Sequence, residues 1–185
     1  MAPILGLWLP ILLSAVIVFV VSSIMHVALK YHQSDYKKLP EEDKVVASMR
    51  SAGVTPGYYG FPHCDHKQMK SPEMMERFKQ GPVGIVIIRP SGMPNMGKYL
   101  GLWFSYCLLV GVSVAYLTGQ TIPRGTPFLE VFRIAGTAAF LPYGVGPLAN
   151  AIWKGHPASM TVKEVFDGLI YALVTASTFS SLWPR

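Results

Sequence analysis

Charge is scarce in this chain. Charged residues make up 14% of its 185 positions, whereas soluble domains carry about 25%. The 16 lysines and arginines form no continuous basic run, and no nucleic-acid-binding motif accompanies them. The formal net charge of +6 therefore does not predict a nucleic-acid partner.

Catalytic motifs and paired cysteines are lacking as well. The chain contains no Gly-x-Ser-x-Gly, no His-Glu-x-x-His and no phosphate-binding glycine loop. Its two cysteines, Cys64 and Cys107, fall in a polar segment and in an apolar stretch, so we expect no disulfide. We predict no catalytic residue and no cofactor, and the residues leave open whether the chain is an enzyme.

What the chain does have is long apolar stretches, at residues 3–29, 99–120, 128–153 and 168–183. A helix needs about 20 largely apolar residues to cross the hydrocarbon core of a bilayer. The sequence therefore predicts an all-α integral membrane protein with four transmembrane helices and a small cytoplasmic α+β cap between the first and second. The expected divisions are a first transmembrane helix (1–30), a cytoplasmic segment (31–97) and a transmembrane bundle (98–185) with helices at 98–120, 128–153 and 165–184.

The basic residues predict the orientation. Residues 30–98 contain 11 of the 16 lysines and arginines, and these residues favour the cytoplasmic side of a membrane. We expect both termini outside and residues 31–97 in the cytoplasm. The first stretch lacks a basic residue before its apolar core and is longer than a signal peptide's core, which favours an uncleaved anchor.

The cytoplasmic segment has the pattern of a small folded unit. Leu39-Pro40-Glu41 and Ser71-Pro72-Glu73 are typical helix starts, with proline and acids in the first turn. The runs at 57–61 and 83–88 are rich in strand-forming residues. We predict two short helices and a two-stranded pairing.

Two features of the later spans predict how their helices pack. Small residues every four positions allow close helix contact in lipid, and clustered proline and glycine kink or break a helix. The small-residue positions are Cys107, Gly111, Ala115 and Gly119 in the second span and Gly168, Ala172, Ala176 and Ser180 in the fourth. The predicted helix break contains Pro142, Gly144, Gly146 and Pro147.

The densest set of metal-ligand residues is the run His63, Cys64, Asp65 and His66. Imidazole and thiolate suit zinc, but a structural zinc site draws its ligands from two separated pairs. Because no second pair is evident, a polar loop tip is the alternative interpretation. His26 and His32 are interpreted as interfacial polar groups, and Asp167 as a carboxylate in the first turn of the fourth span.

Three segments carry a resemblance to known proteins: residues 32–43 (HQSDYKKLPEED), 81–84 (GPVG) and 96–98 (MGK). With them the chain resembles a family of small, uncharacterised bacterial inner-membrane proteins of four-span type, over most of its length. The resemblance implies a bacterial inner-membrane location. It implies no activity, ligand or catalytic residue.

Three functions remain open at this point. The first is a non-catalytic accessory subunit of a larger bacterial membrane complex, such as a respiratory or photosynthetic assembly, with the lipid bilayer and other membrane-protein subunits as partners. The second is a small transporter or channel built around the predicted break in the third helix. The third is a membrane enzyme or metal-binding protein that uses His63, Cys64, Asp65 and His66.

Overall fold

A computed structural model describes residues 3–185. The chain divides into two compact units, which are considered separately. The helical unit contains Met1–Lys37 and Asn95–Arg185, and the inserted unit contains Lys38–Pro94. In the described residues the elements are α1 (Trp8–Ser23), α2 (Glu42–Ser51), β1 (Gly57–Phe61), α3 (Pro72–Gln80), β2 (Gly84–Ile88), α4 (Met96–Thr121), α5 (Phe128–Phe140), α6 (Gly146–Lys154) and α7 (Ala158–Ser181).

Within residues 3–185, three helical segments are long and apolar enough to cross a membrane: Ile4–Ala28, Met96–Thr121 and Phe128–Lys154. The first extends α1 by a 3₁₀ turn before it and a π turn after it. The prediction of four spans is therefore supported for three of them. Helix α7 has the length, but its acids and its many hydroxyl side chains lower its hydropathy.

Helix α7 contacts several elements of the helical unit. It packs along α5, α1 and the turn that joins α5 to α6. Its buried positions recur along one broad face and include Ala172, Ala176 and Phe179. A helix that contacts protein on several sides needs less apolar surface than one that faces lipid, which accounts for its composition. It begins at Ala158 rather than at residue 165, so Asp167 lies within the helix and not in its first turn.

The third apolar segment continues through its prolines without an interruption. Residues Leu141–Val145 form a π turn between α5 and α6, so the predicted break is a local widening of the helix. Pro147 has no N–H to donate to the carbonyl five residues before it, that of Pro142, and the Pro142 carbonyl instead accepts a hydrogen bond from the Tyr106 hydroxyl at 3.0 Å. The neighbouring α4 thus satisfies a carbonyl that the proline frees.

The inserted unit contains the small α+β part. Strands β1 and β2 pair antiparallel, with Gly57 opposite Ile88 and Phe61 opposite Gly84. Helix α3 begins at a capping serine, because the Ser71 hydroxyl accepts from the Met74 N–H at 3.2 Å. The structure confirms a mostly helical chain with a small two-stranded element.

Candidate functional site

Two histidines and one aspartate meet at the end of the helical unit where α1 stops. One ligand-type atom from each of His26, His32 and Asp167 lies within 4.8 Å of the others. The Asp167 Oδ2 atom is 2.7 Å from His32 Nε2 and 3.8 Å from His26 Nε2. The two imidazole rings stack, with centroids 4.4 Å apart and planes inclined by 9°.

His26 is oriented by its own helix. Its Nδ1 atom is 3.0 Å from the Ser22 carbonyl, which can only accept, so Nδ1 carries the proton of the neutral ring. The other ring nitrogen, Nε2, lies 3.8 Å from Asp167 Oδ2. Ser22 is held in turn, because its hydroxyl accepts from the indole N–H of Trp103 at 2.8 Å. The His26 side chain is half exposed, at 50%.

His32 is held by two carboxylates. It lies in the 3₁₀ turn Tyr31–Asp35, with Nδ1 2.6 Å from Asp35 Oδ2 and Nε2 2.7 Å from Asp167 Oδ2. Burial lowers the pKa of His32, but hydrogen bonds to Asp35 and Asp167 outweigh it, so the net shift is upward. The protonated ring can donate to both carboxylates.

Lys163 of α7 completes the polar network. Its Nζ atom donates to Asp35 Oδ1 at 2.6 Å, to the Tyr31 carbonyl at 2.8 Å and to the Ser34 hydroxyl at 2.7 Å. The hydrogen bond from Lys163 lowers the pKa of Asp35, against the opposing effect of burial. The network joins the segment after α1 to α7.

Asp167 is the buried centre of the site, with 4% of its surface exposed. Its second oxygen, Oδ1, accepts from the hydroxyl of Tyr31. Burial and this hydrogen bond raise the pKa of Tyr31, which stays protonated and donates. With His32 protonated, the charges of Lys163 and His32 balance those of Asp35 and Asp167, so the burial of these groups is compensated.

An apolar groove of about 870 Å³ adjoins the cluster. All the long helical segments of the helical unit contribute to it, and its inner part contains contacting aromatic rings. The lining residues that matter most here are His26, Leu102, Trp103, Tyr106, Tyr143, Asp167 and Tyr171. A volume of this size is within the range of about 300–1,000 Å³ for ligand sites.

One buried hydroxyl in the groove has no partner among the described residues. The Tyr171 side chain is 4% exposed, and its oxygen makes no hydrogen bond within residues 3–185. Buried phenols normally find a partner. Tyr171 lies one helical turn beyond Asp167 on the same face of α7, so this donor adjoins the histidine–aspartate cluster.

The candidate metal-ligand run, residues 63–66, does not form part of the cluster described above. His63, Asp65 and His66 are exposed and Cys64 is half-buried in the inserted unit. Three ligand atoms come together, within the described part of the chain, at His26, His32 and Asp167 instead.

The small-residue positions lie inside the helical unit. Cys107, Gly111, Ala115 and Gly119 of α4 and Gly168, Ala172, Ala176 and Ser180 of α7 are all buried. A Cβ atom added to Gly111 would meet the Ile11 carbonyl of α1 at 3.2 Å, which shows how closely α4 and α1 approach. The prolines and glycines of the predicted break lie in the π turn and at the start of α6. Pro142, Tyr143 and Pro147 of this segment line the groove.

Sequence reasoning did not identify the cluster as a site. His32 and Asp167 are 135 positions apart, and nothing in their local patterns indicates that they meet. Two sequence features could have indicated the cluster. One is the pair of histidines at the end of the first span, followed by Asp35, and the other is Asp167 inside an otherwise apolar stretch. The structure defines a helical membrane-type protein with a neutralised polar cluster beside an apolar groove. Comparison with known proteins found no matching family model, curated protein or solved structure.

Proposed function

We propose that this chain is a four-span membrane protein that binds an amphipathic, lipid-like molecule in the groove, with the polar end of the molecule at Tyr171 and the histidine–aspartate cluster. The fourth span is α7, whose enclosed position among α1, α5 and the π turn supports a membrane depth despite its lower hydropathy. The resemblance and the basic residues support a bacterial inner membrane with residues 31–97 in the cytoplasm.

The single observation that supports binding is the unpaired hydroxyl of Tyr171 in an apolar wall. An apolar groove with a few polar groups gathered at one end suits a molecule with an apolar body and a polar end. Trp103, Tyr106 and Tyr143 offer aromatic faces to the body. A ligand acceptor at Tyr171 would remove the cost of leaving a buried donor unpaired, about 1–3 kcal/mol.

The experiment compares two leucines of the same helix. Leu102 lines the groove and is 58% exposed, whereas Leu109 is 62% exposed and does not line it. We extract the protein from membranes, exchange the detergent exhaustively and identify retained amphiphiles by mass spectrometry. The wild-type chain should retain about one amphiphile per chain. Leu102→Trp should lose it because the indole fills the groove, and Leu109→Trp should retain it.

Equal retention in both tryptophan variants, or no retention by the wild-type chain, contradicts the proposal. Tyr171→Phe sharpens the comparison, since it removes the hydroxyl alone, and we expect it to weaken retention. The roles of accessory subunit and of transporter or channel stay predictions. The transporter hypothesis relies on free carbonyls at the predicted break in the third helix. The Pro142 carbonyl is not free, because it accepts a hydrogen bond from Tyr106, and this argues against an ion site there.

A further inference from the structure

The geometry points to a second property of the cluster: we propose that His26, His32 and Asp167 bind a divalent first-row transition metal ion such as Zn²⁺. Two imidazole nitrogens and one carboxylate oxygen are a donor set that these ions accept. The proposal does not depend on what occupies the groove.

The ligand atoms must shift and the half-exposed His26 ring must also turn out of its stack on His32, because rings with planes only 9° apart cannot both direct a lone pair at one ion. Bond lengths of 2.0–2.2 Å in a tetrahedral site place neighbouring ligand atoms roughly 3.3–3.5 Å apart. The distance from Asp167 Oδ2 to His26 Nε2 is 3.8 Å and to His32 Nε2 is 2.7 Å. The first must close and the second must open, each by less than about 1 Å.

The groups around the ligands are those of a metal site. Metal-bound histidines usually donate their other ring N–H to a carboxylate or a backbone carbonyl. Here the Nδ1 atom of His32 faces Asp35 at 2.6 Å, and the Nδ1 atom of His26 faces the Ser22 carbonyl at 3.0 Å. The Nε2 atom of His32 is therefore directed to Asp167 Oδ2, and that of His26 lies 3.8 Å from the same oxygen. Tyr31 donates to the other oxygen of Asp167 and fixes that carboxylate.

An open coordination position would face the groove. His26 and Asp167 both line the groove, and half of the His26 side chain is exposed. Three protein ligands with an open position are typical of metal sites that bind a further molecule.

A proton competes with the metal. Without an ion, His32 Nε2 shares a proton with Asp167, and binding must release that proton to solvent. The ion then takes the place of the proton between the same two groups, while Asp35 and Lys163 keep their own hydrogen bond.

The test uses the full chain, free of any tag, in a background that removes the other candidate ligands. That background is His63→Ala/Cys64→Ala/Asp65→Ala/His66→Ala. After chelator treatment it is titrated with ZnCl₂ by calorimetry, and bound metal is counted by elemental analysis. We expect one Zn²⁺ per chain. His26→Ala and His32→Ala, each added to the background, should weaken the affinity at least tenfold.

His26→Ala is the decisive variant, because its side chain is half exposed and its loss should leave the fold intact. Co²⁺ provides a second measurement: the visible absorption of a low-coordinate site should appear in the background chain and disappear with His26→Ala. His156→Ala is the matched control and should bind as the background does. Failure of the background chain to bind Zn²⁺, or unchanged binding after His26→Ala, overturns the proposal.

Discussion

At the scale of single residues, the stability of the helical unit depends on a small set of buried charges. The Asp35 side chain is 4% exposed and the Lys163 side chain 24% exposed, with 2.6 Å between Nζ and Oδ1. Removal of one partner from a buried pair leaves the other charge uncompensated, which costs more than the pair contributes. Lys163 also holds the Tyr31 carbonyl and the Ser34 hydroxyl.

Lys163→Met tests this network. The methionine keeps most of the length of the side chain and removes the charge and its three hydrogen bonds. We expect a loss of about 2–3 kcal/mol in the free energy of unfolding. This is less than the loss expected from breaking a fully buried ion pair, because Lys163 is partly exposed. The measurement is denaturation in detergent, followed by circular dichroism.

An exposed ion pair gives the matched control. Lys44 and Glu41 are 2.6 Å apart, but their side chains are 80% and 69% exposed. Exposed pairs contribute little because water and salt screen them, so Lys44→Met should leave stability nearly unchanged. If Lys44→Met lost as much stability as Lys163→Met, burial would not be the reason for the effect of Lys163→Met.

The residue scale is also where sequence reasoning was weakest. The metal-type residues next to one another, His63 to His66, are mostly exposed, whereas the cluster joins residues from opposite ends of the chain. Short motifs report local chemistry, and a contact across 135 positions depends on how helices pack. His26 and Asp167 were recognised as unusual polar groups, but each had a local explanation.

At the scale of elements, the pattern of apolar residues predicted most of what the structure contains. The strands at 57–61 and 84–88 follow from β-branched and aromatic residues bounded by glycine and proline. The start of α7 at Ala158 was missed because Lys163, Glu164 and Asp167 are polar. Those residues are accommodated in the helix because Lys163 and Asp167 bond to the segment after α1.

Helix α7 approaches the π turn closely at Gly168. A Cβ atom on Gly168 would overlap the Gly144 Cα and the Tyr143 carbonyl oxygen. These are backbone atoms, so the clash cannot be relieved by a side-chain rotation. We expect Gly168→Ala to push the two elements apart and to cost about 1–3 kcal/mol of unfolding free energy, or more.

Gly101 of α4 is the control for this substitution. A Cβ atom there would meet nothing within 4 Å. Gly101→Ala should therefore be neutral or stabilise the helix by up to about 1 kcal/mol, since alanine is the better helix former. The measurement is the thermal denaturation of the two variants side by side. Equal changes in stability would contradict the close packing of α7 on the π turn.

At the scale of the whole molecule, the orientation in the membrane determines which compartment the cluster faces. The cluster lies where α1 ends, just before the segment 38–94, which carries eight of the 16 lysines and arginines. The distribution of lysine and arginine predicts that this end faces the cytoplasm. Any metal or headgroup would then enter from the cytoplasmic leaflet.

Thiol labelling in intact cells tests that orientation. Cys64 lies in the inserted unit and is half-buried, whereas Cys107 is buried in α4. A membrane-impermeant maleimide should label Cys64 only after the cells are permeabilised. In a Cys64→Ser background, Arg124→Cys places a thiol in the exposed loop between α4 and α5, which the same prediction puts outside, so it should react without permeabilisation. Labelling of Cys64 from outside together with protection of Arg124→Cys would reverse the orientation, and the cluster would then face the outside of the cell.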